Sequence, residues 1–106
     1  MTTPFPFSIL TPAGALTAEE AVFVGVRSVE GSLGVLARHA PMVAACPPGV
    51  VRVQRPDGWH FYATSACLLT TDGHNVAVLA GRAIEATDES AALRTSQDWV
   101  RETQDE

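Results

Sequence analysis

The stretch "GVVRVQRPDGWHFYA", residues 49–63, decides the fold. Two short apolar-rich runs flank Pro56-Asp57-Gly58. Proline presets its own φ, aspartate hydrogen-bonds nearby backbone, and glycine accepts left-handed angles, so the three together mark a turn. On the return run, alternation puts Trp59 and Phe61 on one face and His60 and Tyr62 on the other. Two such runs joined so tightly read as a β-hairpin.

The same grammar extends outward in both directions. "FSIL" (7–10) precedes the Pro-Gly turn of "TPAG", and "EEAVFVGV" (19–26) sets Val22, Val24 and Val26 on one side and Phe23 on the other. "CLLTT" (67–71), a turn around Asp72-Gly73, and "NVAVLAGRAIEA" (75–86) complete the series. Short strands at hairpin spacing predict a mainly β fold: a small two-sheet sandwich, or flattened barrel, of about eight to ten strands. The segment 88–106 differs. It lacks turn residues, Thr87 or Asp88 can cap a helix, and Glu89 suits the positive end of the helix dipole. Leu93 and Val100 form a narrow stripe with Ala92 and Trp99 beside it, which predicts at most one short, lightly packed helix. The expected division is therefore a β-sandwich over 1–87 and an acidic helix or tail over 88–106.

A chain of 106 residues fits one domain, and 46% hydrophobic with 18% charged residues is ordinary for a globular fold. No stretch approaches the roughly 18 apolar residues of a membrane span. "MTTPFPFSIL" lacks the basic and apolar regions of a secretory signal, so a cytoplasmic chain is expected, reaching a membrane only through a partner. The net charge of −5 argues against a nucleic-acid surface. Residues 1–87 hold six acids and five arginines; residues 88–106 hold six acids and two arginines. The body is thus nearly neutral and the tail acidic. Cys46 and Cys67 lack CxxC spacing and sit in apolar context, so buried reduced thiols are expected; both could face one core and pair.

"EGSLGVLARHAP", residues 30–41, places two glycines, a histidine and a proline on one connection. A catalytic reading fails, because Ser32 and His39 come without a GxSxG elbow or an activating acid. "GSLG" is too short and too poor in basic residues for a phosphate cradle. A mechanical reading fits better. Gly31 and Gly34 permit unusual angles or close approach, Leu33, Val35 and Leu36 anchor a loop, and Pro41 stiffens it. His39 then serves as a hydrogen-bonding pin. The alternative is a stand-alone sandwich in which His39, His60 and His74 converge on a metal or small ligand, although their spacing matches no zinc pattern.

Four segments together, "FSILTPAG", "EGSLGVLARHAPMV", "PPGVVRV" and "NVAVLAGRA", resemble the epsilon subunit of F-type ATP synthases, called delta in mitochondria. The family pattern Gly-x-Leu-Gly-Ile/Val-Leu-Pro-Gly-His-Ala-Pro stands here as Gly31 to Pro41, with Ala37-Arg38 replacing Pro-Gly. The family's Gly-Gly after the serine is Ala66-Cys67. The resemblance implies a non-catalytic rotor subunit without a cofactor, metal or nucleotide site. It would be present once per complex, bound to the gamma subunit and the c-ring at the cytoplasmic face of a bacterial plasma membrane, and would couple proton flow to ATP synthesis. Glu30, Gly31, Ser32, Leu33, Gly34, Arg38, His39, Ala40 and Pro41 are the expected contacts with gamma and the c-ring. Apolar residues exposed on one sheet would bury against gamma. Many members carry a second, two-helix domain that binds ATP or inhibits rotation. With one helix at most, and no Asp-x-x-Arg motif near Ser90 and Leu93, weak or no inhibition of hydrolysis is expected here.

Overall fold

The computed structural model describes residues 3–104, and in chain order these form β1 (Phe5–Thr11), β2 (Gly14–Ala21), β3 (Phe23–Ser28), β4 (Gly31–Val35), β5 (Met42–Cys46), β6 (Gly49–Arg55), β7 (Gly58–Thr64), β8 (Cys67–Thr71), β9 (Val76–Ala80), β10 (Ala83–Ala86) and α1 (Glu89–Gln104). Sheet A has the order β2-β1-β9-β8-β5, and sheet B the order β10-β7-β6-β3-β4. Neighbours are antiparallel except β1 and β9, which run parallel. The β6–β7 hairpin closes at Arg55 opposite Gly58, where Gly58 takes φ +132°, an angle that strains any residue with a Cβ.

Period-two alternation builds the core. Phe5, Phe7 and Ile9 of β1, Leu69 of β8 and Val76 and Val78 of β9 face Val24 and Val26 of β3, Val51 and Val53 of β6 and Tyr62 of β7, all buried in one cluster. Each residue on these inner faces loses its water contact to the opposite sheet, at about 25 cal/mol per Å² of apolar surface. The expected facing of β3 holds, with Val22, Val24 and Val26 buried and Phe23 outward. So does that of β7, where Tyr62 is in the core while Phe61 and Trp59 look out.

Arg55 continues the inward series Val51, Val53, and it is buried. Its Nη1 donates to Tyr62 Oη at 2.8 Å and its Nη2 donates to Thr17 Oγ1 at 2.7 Å, so one guanidinium ties sheet B to edge strand β2 of sheet A. Nε faces the Glu19 carboxylate at 3.4 Å, an ion pair without hydrogen-bond geometry.

The helix departs from the expected stripe. Ala92, Ser96 and Trp99, spaced i, i+4, i+7, are the buried face, whereas Leu93 is exposed. They lie on the outer surface of sheet B with Ala63, Val50, Phe61 and Ala86. Asp88 is the cap: its Oδ1 accepts the Ala91 N–H at 2.8 Å. Arg82 stacks its guanidinium 4.4 Å from the Trp99 ring centroid and pairs with Glu102 at 3.0 Å. The helix is therefore docked more firmly than its narrow apolar stripe implied.

The segment 30–41 is not one loop. Gly31–Val35 is β4, the edge of sheet B, and only 36–41 is irregular. The two glycines have separate jobs. Gly31 takes φ +127° in the β3–β4 turn. Gly34 pairs directly with Gly25 of β3, and the Phe23 ring lies over both: a Cβ on Gly34 would stand 2.9 Å from Phe23 Cε1, and one on Gly25 3.0 Å from Cε2. Trp59 meets that ring edge-on at 5.9 Å, holding it down. Gly34→Ala therefore displaces Phe23. A loss of about 1–3 kcal/mol is expected in denaturant unfolding, and a much smaller loss when Phe23→Ala is already present.

Candidate functional site

The outer face of sheet A is built by the residues that alternate with its core positions. In register, Leu10 of β1 stands beside Leu79 of β9, Leu79 opposite Leu68 of β8, and Leu68 opposite Ala45 of β5. Val29, from the β3–β4 turn, extends this row by donating its N–H to the Ala45 carbonyl at 2.9 Å. A second row runs Ser8, Ala77, Thr70 and Val43. Val29 and Val43 are 70% and 69% exposed, and Leu10, Leu68 and Leu79 about 40%. None of the four strands β1, β5, β8 and β9 carries a charge. A contiguous, uncharged apolar face of this kind marks a protein interface rather than ordinary surface.

One end of the sandwich is formed by two touching turns. In the first, His39 N–H bonds back to the Leu36 carbonyl at 3.2 Å, and Arg38 takes φ +63°. His39 Nδ1 lies 2.9 Å from the Ala40 carbonyl, which only accepts, so that nitrogen carries the proton. His39 is thus the pin the sequence implied. In the second turn, the Asp72 carboxylate accepts the N–H groups of His74 at 2.8 Å and Asn75 at 2.7 Å. These bonds, that from Asn75 foremost, hold the Asp72 carboxyl below its usual range. Gly73 fits against Pro41 and the His39 carbonyl.

The structure divides the expected contact residues between two places. Leu33 and Gly34 lie within β4; Glu30, Gly31 and Ser32 flank the β3–β4 turn beside Val29; Arg38, His39, Ala40 and Pro41 lie beyond the other end of the strand. Four residue steps of extended chain, about 13 Å, separate Gly31 from Val35. The apolar rows of sheet A were signalled only by the near-continuous runs "CLL" and "VAVLA", which read like strands covered on both faces.

The three histidines do not converge. His39 and His74 sit on the paired turns, whereas His60 lies between Asp57 (2.9 Å) and Glu85 (3.2 Å). Among the described residues no group of three or more His, Cys, Asp or Glu is arranged to hold a metal ion. Nor is any described helix long and apolar enough to cross a membrane.

A two-layer sandwich, antiparallel except at β1 and β9, with four neighbouring strands uncharged and apolar on their outer face, has the surface features of a docking domain. Residues 4–86 match the model of the family described as ATP synthase, Delta/Epsilon chain, beta-sandwich domain, and the chain belongs to that family. It is 37% identical to the ATP synthase epsilon chain of Halorhodospira halophila, over 86% of this chain and 74% of that one. It is 34% identical to the epsilon chain of Desulforudis audaxviator, over 72% of this chain and 56% of that one. The chain thus spans little more than half of the latter's length. Its fold is similar to that of a chain in the mitochondrial ATP synthase of Euglena gracilis, a structure of OSCP, F1 and c-ring (TM-score 0.73, 20% identity, 92% of this chain and 64% of that one).

Two outcomes follow from this geometry. Asp57 first, and Glu85 second, raise the His60 pKa above its ordinary value near 6.5. The folded state therefore favours the imidazolium. Its stabilisation is complete below about pH 6.5 and disappears as pH rises through the raised folded value. Melting temperature should fall across that window in the native chain and stay flatter in His60→Gln. Arg38 holds a left-handed angle at the position where the family pattern has glycine, at a cost of about 1 kcal/mol. Arg38→Gly should raise the melting temperature by a few degrees.

Proposed function

We propose that this chain is a non-catalytic rotor subunit of an F-type ATP synthase. The outer face of sheet A seats on the gamma subunit. The end formed by Leu36–Pro41 and Asp72–Asn75 rests on the polar loops of the c-ring. The observation that carries this reading is the uncharged face of Leu10, Leu79, Leu68, Ala45, Val29 and Val43, in a domain whose relatives are ATP synthase epsilon chains.

The mechanics suit the role. Transmitting torque requires a body that does not absorb it, and close-packed interiors are stiff. Here two five-stranded sheets share one core, Arg55 ties β6 and β7 to the edge strand β2, and α1 is fixed to sheet B by Trp99 and Arg82. The paired turns are stiff too, because their backbone and carboxylate bonds are internally satisfied. Ion flow turns the ring, the ring turns this domain with gamma, and catalysis occurs elsewhere. Attachment is peripheral, at the cytoplasmic face of a bacterial plasma membrane, and through the c-ring alone. With α1 lying on sheet B, this segment inhibits ATP hydrolysis weakly or not at all.

The test is binding to gamma from the same synthase. The native chain should form a stoichiometric complex at micromolar concentration. Val29→Arg with Val43→Arg places two charges on the most exposed positions of the face, which are not opposed to one another; it should leave the melting temperature nearly unchanged and weaken binding by roughly 100-fold. A native chain that ignores gamma, or a double variant that binds as well as the native one, would overturn the proposal.

A further inference from the structure

Cys46, the last residue of β5, stands directly opposite Cys67, the first residue of β8. Both are free and buried. Directly opposed residues of an antiparallel pair have Cα atoms about 4.5–5.5 Å apart, inside the roughly 4.4–6.8 Å span that a disulfide bridges. The two thiols are close enough to hydrogen-bond each other. Thr64 Oγ1 lies 3.8 Å from the Cys67 sulfur. The pair sits at the end of edge strand β5, beneath a shallow apolar depression lined by Val29, Ala45, Pro47 and Leu68, so local opening of that strand end brings it within reach of a small disulfide.

We propose that Cys46 and Cys67 are a redox-active dithiol that closes to a cross-strand disulfide by exchange with a low-molecular-weight disulfide such as oxidised glutathione. The Cys46 thiolate attacks one sulfur of the small disulfide; the S–S bond breaks, and one glutathione thiolate leaves and takes up a proton. The Cys67 thiolate then attacks the Cys46 sulfur of the mixed disulfide and expels the second glutathione. Two protein thiols are oxidised and one small disulfide is reduced to two thiols, so atoms and electrons balance. Burial raises both thiols, that of Cys67 to about 12, which makes Cys46 the better first nucleophile. It also makes the exchange slow near neutral pH and faster as pH rises, in proportion to the thiolate present. The depression is lined by Val29, Ala45, Leu68 and Leu79 of the face proposed to meet gamma, so the exchange is a property of the free chain and its test does not depend on that reading.

The experiment treats the folded, reduced full chain with oxidised glutathione at two alkaline pH values and follows intact mass and free thiols. Expected is a monomer lighter by two hydrogens with no free thiol, formed faster at the higher pH and melting several degrees higher than the reduced chain. A mixed glutathione adduct that persists on either cysteine would overturn the inference. So would a dithiol left unchanged under conditions that fully oxidise the chain in guanidinium, or a disulfide form that melts lower than the dithiol.

Discussion

The structure depends on the mutual burial of two inner sheet faces. Ile9, Leu69 and Val78 from sheet A and Val24, Val35, Val51 and Val53 from sheet B have almost no water contact, and each is buried only because the other sheet is there. A domain this small hides a modest share of its surface, so the inner faces must be filled without gaps. Arg55 ends the inward series Val51, Val53 on the side of this layer facing edge strand β2. Its long stem continues the core while its guanidinium reaches Tyr62 and Thr17 across the gap. A buried guanidinium is tolerated there because Tyr62 and Thr17 each accept one of its hydrogen bonds, and because Glu19 supplies a nearby counter-charge.

That layer was legible in the sequence because its period is two and its turns are marked. Val22, Val24 and Val26 alternate visibly, and Pro56-Asp57-Gly58 leaves little choice of turn. The helix was legible as a helix but not in its orientation. Its two largest aliphatic residues, Leu93 and Val100, suggested a face that sheet B does not receive. The sheet offers small partners, Ala63 and Ala86, which accept Ala92 and leave room for Trp99 beside Arg82. Complementarity to another surface decides which stripe of a weakly amphipathic helix is buried, and a single-chain period cannot contain that information.

The glycines of 30–41 carry the same lesson in finer detail. Both read as loop glycines, yet only Gly31 adopts a loop angle. Gly34 is in extended backbone, and the reason for it is a neighbour two strand positions away, the Phe23 ring lying across Gly25 and Gly34. An aromatic ring laid over cross-strand glycines covers backbone that would otherwise face water, and it stabilises an edge pair short of side chains. Arg38 shows the converse: the left-handed angle is kept although glycine is absent, because the His39–Leu36 hydrogen bond and the Pro41–Gly73 contact hold the turn on either side.

The two outer faces are unequal, and the inequality points to function. Sheet B has its own cover in α1, set over Ala63, Val50, Phe61 and Ala86. Across β1, β9, β8 and β5, sheet A has an outer face as free of charge as an interior, charge appearing only on edge strand β2, yet among the described residues no element lies over it. Strands apolar on both sides are stable and soluble only if the second side is also covered. A chain under selection for solubility alone would place lysine, arginine or glutamate at Val29 or Val43, where a charge costs the fold little. Their absence is explained if that face is the proposed seat on gamma.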